Sequence, residues 1–185
     1  MLAFAAAVAL VAGACGRDLI FLPPEDPAAP LFEVEYQSTA WSTRWNGFYV
    51  DGAGRVYEWD HGETRNTALE GDVLTPEQLS AKYSPGHRLV KTLPAGEALQ
   101  RYERVSEAAS ASLADMKGVC ADAGIARISA WVWNAGDQRF HRILLHQRGD
   151  EGTTRRGDAA RALWKWIDSV TLQGAPDTMC DPYPD

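Results

Sequence analysis

The chain has 185 residues, 45% of them hydrophobic, and a formal net charge of −7 at pH 7. That length suits one domain with a sizeable core, and the composition excludes wholesale disorder and collagen-like repeats. A chain with this net charge does not attract phosphate backbones through its overall field, which argues against a nucleic-acid partner.

The first fourteen residues, MLAFAAAVALVAGA, carry no charged side chain. The run is shorter than the roughly 20 apolar residues that span a bilayer, and it is typical of the apolar region of a secretory signal peptide. The sequence LVAGAC, which ends at Cys15, resembles the lipobox of bacterial lipoproteins. This resemblance implies cleavage before Cys15 and lipid attached to its sulfur. The triplet 12–14 also fits the A-x-A rule for ordinary signal peptidase, so release of a soluble protein stays open.

The stretch that follows Cys15 is rich in proline and in small or acidic residues. Such a composition favours extended chain and predicts a tether, although a ragged terminus would have the same composition. With lipid on Cys15 we expect an anchor in the cell envelope. Gly16 is not the acidic residue associated with inner-membrane retention in enteric bacteria, so the outer membrane is preferred. The predicted organisation is a signal peptide at 1–14, lipidated Cys15 and tether at 15–30, and a single α+β domain at 31–185.

Strands and a short helix are predicted in the first half of the domain. Residues 32–37 alternate apolar and polar side chains, the period of a half-buried strand. Residues 48–50 and 55–59 flank Asp-Gly-Ala-Gly, a strong hairpin signal. Thr75 followed by Pro76 predicts a helix that ends near 83.

Two helices and a second hairpin are predicted in the other half. Apolar residues at steps of three or four predict a long helix over 95–120. A hairpin is predicted from 125–133 and 139–147, and Asp158 is expected to cap a terminal helix. Neighbouring strands joined by tight turns favour an α+β fold: an antiparallel sheet built from hairpins, with the helices packed on one face.

Turn and core residues also carry a resemblance. Gly47-Phe48-Tyr49-Val50-Asp51, the following Gly-Arg-Val-Tyr at 54–57 and the late Trp-Ile at 166–167 resemble small bacterial lipoproteins of unknown function. The resemblance covers most of residues 32–172. It implies a fold and a cell-envelope location, and it implies no activity.

Three cysteines are present. If Cys15 carries lipid, Cys120 and Cys180 remain as one pair in an oxidising compartment. A disulfide between them would close a loop of about sixty residues, which stabilises by roughly 4 kcal/mol in the chain-entropy model. The alternative is two unrelated buried thiols.

Sequence motifs give little support for catalysis. Glu58 and Asp60 fall on one face of a strand and could act as an acid–base pair. An envelope hydrolase that uses this pair is therefore the alternative to a binding protein. His141 and His146 are five residues apart and fall on opposite faces of a strand, so they do not predict a shared metal. No nucleophile elbow, phosphate loop or cofactor motif is found, so we expect no catalytic residues, metal or cofactor.

Tryptophan is abundant, with seven in the chain. Trp131 and Trp133 share one face of the second hairpin, and aliphatic side chains occupy the other. If the aliphatic face meets the helices, the two tryptophans face outward as a binding surface. If the tryptophan face is the packed one, they belong to the core.

These observations predict a lipid-anchored protein of the bacterial cell envelope that acts by binding. Its expected partners are the membrane, through lipidated Cys15, and an envelope protein or glycan that contacts Trp131 and Trp133. An envelope hydrolase and a structural assembly subunit remain the alternatives.

Overall fold

The computed structural model describes residues 21–40, 42–116 and 122–171. Within them, nine strands form one sheet in the order β5-β3-β2-β1-β7-β8-β9-β6, with β4 beside β8, and neighbouring strands pair antiparallel. The strands are β1 Pro30–Ser38, β2 Arg44–Asp51, β3 Arg55–Asp60, β4 Val73–Leu74, β5 Arg88–Thr92, β6 Leu113–Asp115, β7 Ile125–Asn134, β8 Arg139–Gly149 and β9 Thr153–Arg155. The helices are α1 Pro76–Tyr83, α2 Glu97–Tyr102, α3 Val105–Ser110 and α4 Asp158–Thr171, with a 3-10 turn at Thr67–Leu69.

Both predicted hairpins are confirmed. In the first, the Asp51 carboxylate accepts a hydrogen bond from the backbone N–H of Arg55 at 2.8 Å and from its guanidinium Nε at 2.7 Å. Gly54 has a φ of +79°, in the left-handed region that favours glycine. The turn chemistry therefore closes β2 onto β3 where the sequence predicts it.

Helix α1 is confirmed at both ends. The Thr75 hydroxyl accepts from the Gln78 N–H at 3.2 Å, and the Gln78 side chain accepts from the Thr75 N–H at 2.9 Å. This reciprocal capping box satisfies two backbone donors at the start of the helix. Pro76 is its first residue, and the helix ends at Tyr83.

The long helix predicted over 95–120 is wrong. The structure has two six-residue helices, α2 and α3, followed by strand β6, which pairs with β9. The guanidinium of Arg155 donates to the carbonyls of Ala109 and Ala111, at 2.9 and 2.6 Å, and holds the chain where it leaves α3. This tertiary contact lies at the end of α3, within a periodic pattern whose helix propensity is weakened by its serines.

Two hydrophobic clusters lie against the sheet. One joins apolar residues of β1, β2, β3, β7 and β8 to side chains of α2, α3 and α4. The other joins the intervening residues of the sheet to Leu79 and Tyr83 of α1. The α+β class and the mainly antiparallel sheet are confirmed, whereas packing of the helices on one face is not shown, because α1 packs with the second cluster.

The described part of the predicted tether lies against the domain. The backbone N–H of Phe21 donates to the Ser106 hydroxyl at 2.7 Å. The carbonyls of Pro27 and Ala29 accept from the first hairpin's turn, at 2.9 and 3.2 Å. Residues 21–30 are therefore held to the domain by hydrogen bonds, and β1 begins at Pro30.

Candidate functional site

Aromatic side chains crowd the sheet face that α1 covers. Trp45, Trp59 and Trp131 are at most 1% exposed. The rings of Trp45 and Trp59 meet edge to face with their centroids 5.6 Å apart. Gly47 makes room for this arrangement, because a Cβ there would lie 2.1 Å from the carbonyl oxygen of Val34 and 2.9 Å from the Trp59 ring. This face is a packed core as well as the wall of the site.

A buried ionic cluster lies under α1. Lys82 of the helix is fully buried, and its Nζ lies 2.6 Å from the Glu33 carboxylate and also pairs with Glu35. Glu35 forms two further ion pairs, because Arg127 and Arg142 lie 3.2 and 3.3 Å from its two carboxylate oxygens. We call these five residues the ionic cluster. A buried charge without such partners would cost several kcal/mol, so each member depends on the others.

The two carboxylates of the ionic cluster respond to burial in opposite ways. Burial raises the pKa of Glu33 above its ordinary value of 4.5, and the Lys82 charge only partly offsets it. Burial acts on Glu35 as well, but the combined charges of Lys82 and Arg142 outweigh it, so the pKa of Glu35 is lowered. Glu35 is therefore the firmly ionised member of the pair.

Aromatic rings surround the Lys82 ammonium on its other side. Its Nζ lies 5.5 Å from the ring centroids of Trp59 and Trp131 and 5.8 Å from that of Tyr83. The indole N–H of Trp131 donates to the Tyr83 hydroxyl at 2.8 Å. Burial holds the pKa of Tyr83 well above its usual range, so this hydroxyl stays neutral.

Beside α1 lies a cleft of about 920 Å³, which we call the aromatic cleft. Residues 21–26 and 28–30 form one wall, and α1 with the ends of β2, β7 and β8 forms the other. Its volume is at the upper end of the roughly 300–1,000 Å³ range of small-molecule sites. The second wall presents the side chains of Tyr49, Leu79, Tyr83, His87, Trp133 and Phe140.

The rings of the aromatic cleft form two groups. Tyr49 stacks on Tyr83 with centroids 4.4 Å apart, and its Oη shares a 2.7 Å hydrogen bond with His87 Nε2. Trp133 and Phe140 form the other group, with centroids 5.1 Å apart. Rings that are already packed in fixed positions lose little conformational entropy when a ligand binds.

A second, polar cleft of about 380 Å³ lies over the ionic cluster's arginines. Arg142 is held there by Asp72 at 2.7 Å, and Arg65 is held by Glu70 at 2.6 Å. Arg127 donates to Gln37 at 2.9 Å. Because the guanidinium groups have protein partners, this cleft is a weaker candidate for a ligand site.

The two tryptophans proposed as an outward-facing surface lie in different places. Trp131 is completely buried, so the prediction that it faces outward is wrong, and it belongs to the core. Trp133 is half-buried and lines the aromatic cleft. The aliphatic face of β7 packs against helices α2–α4, which was the condition for outward-facing tryptophans. The opposite face is nevertheless covered, because α1 packs against it.

The carboxylates of the hydrolase alternative lie apart from both clefts. Glu58 forms an ion pair with exposed Arg88, and the Asp60 carboxylate accepts from the backbone N–H of Gly62 at 2.6 Å. His61 turns instead toward α1, where its Nε2 bonds with the carbonyl of Lys82 at 2.8 Å. Neither Glu58 nor Asp60 lines the aromatic or the polar cleft, so the geometry gives the acid–base reading no support.

Several sequence-based predictions fall on undescribed residues. The lipidation site Cys15 and the disulfide pair Cys120 and Cys180 lie outside the described residues. Across 21–40, 42–116 and 122–171, no helix is both long and apolar enough to cross a membrane. Over the same ranges, no group of three or more His, Cys, Asp or Glu could hold one metal ion.

Sequence reasoning missed the ionic cluster and most of the aromatic cleft. In β1, Glu33 and Glu35 alternate with apolar residues and look like the solvent side of a half-buried strand. A signal was nevertheless present. Tryptophan and tyrosine recur on that same face of β2, β3 and β7, and so many large rings require a second covering layer.

No family model, curated protein or solved structure matches this chain. The resemblance to small bacterial lipoproteins therefore stays a prediction, and the functional argument rests on the site itself.

Proposed function

We propose that this protein is a lipid-anchored binding module of the bacterial cell envelope and that its ligand occupies the aromatic cleft. The observation that carries the binding proposal is the cleft, a concave site of about 920 Å³ lined by aromatic and apolar side chains. A few polar groups, such as the bonded Tyr49 and His87 pair, are available to orient a ligand. A largely apolar cleft with few convergent polar groups is the usual form of a small-molecule site.

Accessible apolar surface in the cleft favours a ligand with an apolar body. Leu22 is 73% exposed and Trp133 is half-buried, and both border the cleft. A ligand that covers them replaces water against rings and methyl groups, and apolar burial contributes about 25 cal/mol per Å² before the costs of association.

Blocking the cleft from the exposed side of α1 tests this proposal. Ser80 is exposed and lines the cleft, so Ser80→Trp fills it without disturbing the buried core. The probe is the neutral fluorophore N-phenyl-1-naphthylamine, added to the full chain carrying Cys15→Ala, without detergent. We expect the probe's affinity to fall by about tenfold or more, since a bulky indole occupies its volume.

Ala81→Trp is the matched control, because residue 81 is exposed on the same helix but does not line the cleft. It should bind the probe as the parent chain does. Equal affinity in the Ser80→Trp and Ala81→Trp variants, or no binding by the parent chain, would contradict the proposal.

The anchor is proposed from the lipobox-like sequence that ends at Cys15. Radiolabelled palmitate should appear on the chain in a bacterial host and disappear with Cys15→Ala, which should also move the protein from the membrane fraction to the soluble envelope fraction. Two or more acyl chains are needed for stable anchoring. Unlabelled protein in the membrane fraction would contradict lipidation at this sulfur.

The pairing of Cys120 and Cys180 belongs to the same proposal, since an envelope location permits disulfides. Non-reducing mass spectrometry of the mature protein should find these two residues in one linked peptide. Two alkylatable thiols at these positions would contradict the pairing.

A further inference from the structure

The charges that line the aromatic cleft are of one sign. Glu25 and Asp26, both exposed, belong to its proline-rich wall. Among the described residues that line the cleft, none is a Lys or an Arg. His87 is the one lining residue among them whose side chain has an ionisable nitrogen. Two carboxylates on the wall of a cleft whose described lining has no Lys or Arg create a negative potential there.

Aromatic rings add to the same preference. The face of a ring carries a partial negative charge that attracts cations within about 6 Å of its centroid. This sheet face already uses its rings in that way, since Lys82 Nζ lies 5.5 Å from the centroids of Trp59 and Trp131. In the cleft itself the half-buried Trp133 offers a further ring, whereas Tyr49 is already stacked against Tyr57 and Tyr83.

We propose that the ligand of the aromatic cleft is a soluble organic cation, a quaternary or protonated amine on an apolar body. This inference rests on the proposed function and narrows it to one chemical class. The ammonium group would lie between the Trp133 ring and the carboxylates of Glu25 and Asp26, and the apolar body would cover the exposed Leu22. A phospholipid headgroup fits less well, because its phosphate would approach the same two carboxylates.

Two probes of the same shape separate charge from apolar contact. Choline and 3,3-dimethylbutan-1-ol differ in one atom, a quaternary nitrogen against a carbon. Each is titrated into the Cys15→Ala chain while the indole N–H resonance of Trp133 is followed by NMR. We expect choline to bind at least about threefold more tightly, the lower range for a cation against aromatic rings.

Charge-removing variants identify the groups responsible. Glu25→Gln with Asp26→Asn should bring the affinity ratio of the two probes down by half or more, and the new Asn can still accept the 2.8 Å hydrogen bond from the Ala28 N–H. Glu63→Gln with Glu103→Gln removes the same charge from exposed positions that do not line the cleft, and should leave the ratio unchanged.

Each contrary result is distinct. Equal affinity for both probes would overturn the cation inference while the cleft remains a binding site. Failure of both probes, with N-phenyl-1-naphthylamine still bound and still blocked by Ser80→Trp, would overturn it in the same way. A ratio that falls equally in both double variants would assign the preference to overall charge. Flotation of the Cys15→Ala chain with phosphatidylcholine vesicles, without choline binding, would show that the soluble cation is the wrong ligand.

Discussion

The two faces of the sheet bury their residues by different physical means. Against α2–α4 the cluster is mainly aliphatic, with fully buried Leu163 and Ile167 as typical members. Against α1 the sheet carries large rings and the ionic cluster, with Lys82 at its centre. Aliphatic packing depends little on pH, whereas a buried ion pair couples stability to protonation. The face that carries the aromatic cleft therefore couples its packing to pH through the ionic cluster.

The two faces also differ in how strictly they determine which residues can occupy them. Aliphatic cores tolerate swaps that conserve volume. A buried lysine requires a carboxylate partner, since a lysine without one is an uncompensated buried charge. Because α1 carries both Lys82 and the cleft residue Leu79, the ionic cluster fixes the helix that forms the cleft wall.

The largest expected effect compares Lys82→Met with Leu163→Ala. At pH 7, loss of the lysine should lower the free energy of unfolding by about 3–5 kcal/mol, because Glu33 and Glu35 lose a shared partner. Leu163→Ala should cost about 2–5 kcal/mol through its cavity. Urea unfolding at pH 7 and pH 4 separates them: the lysine penalty should shrink in acid as carboxylates protonate, and the leucine penalty should not. Equal pH responses would contradict the contrast between the faces.

Next in size is the difference between Glu35→Gln and Glu33→Gln. The lowered pKa of Glu35 contributes stability that is present above its ordinary value of 4.5 and is lost as pH falls through the folded-state value. The raised pKa of Glu33 has the opposite sign, so its ionisation costs stability as pH rises above 4.5. At pH 7 we expect Glu35→Gln to cost about 2 kcal/mol more than Glu33→Gln.

Unfolding curves that extend from well below pH 4.5, where Glu35 protonates, up to about pH 8 check these signs. Relative to the Glu33→Gln variant, the parent chain should lose free energy of unfolding as pH rises. Relative to the Glu35→Gln variant, the parent chain should gain free energy of unfolding as pH rises. Parallel pH profiles for the two variants would mean that the carboxylates are equivalent.

The smallest effect concerns the cap of α1. Thr75→Ala removes the hydroxyl that accepts from the Gln78 N–H and should lower stability by about 1 kcal/mol. Thr75→Ser keeps the acceptor and is the control. A loss equal in both variants would show that the methyl group, and not the capping bond, is what matters.

The sequence predicted local structure well and the site poorly. The Asp51 to Gly54 turn and the Thr75 cap rest on contacts within a few residues, and both are found as predicted. The long helix breaks first between α2 and α3 and ends after α3, where Arg155, far along the chain, binds the carbonyls at which it would continue. The ionic cluster brings together β1, α1, β7 and β8, and no local pattern specifies such an assembly.

Trp133 gives the most direct measurement of the central claim, because it lines the aromatic cleft and its indole N–H gives a resolved resonance. Trp45 and Trp164 lie away from the cleft and serve as internal references. In a titration of the ¹⁵N-labelled Cys15→Ala chain with 1-octanol, we predict a saturable shift of the Trp133 indole resonance, with those of Trp45 and Trp164 unchanged. Shifts shared equally by all three, or a Trp133 resonance that never moves, would contradict a binding site in this cleft.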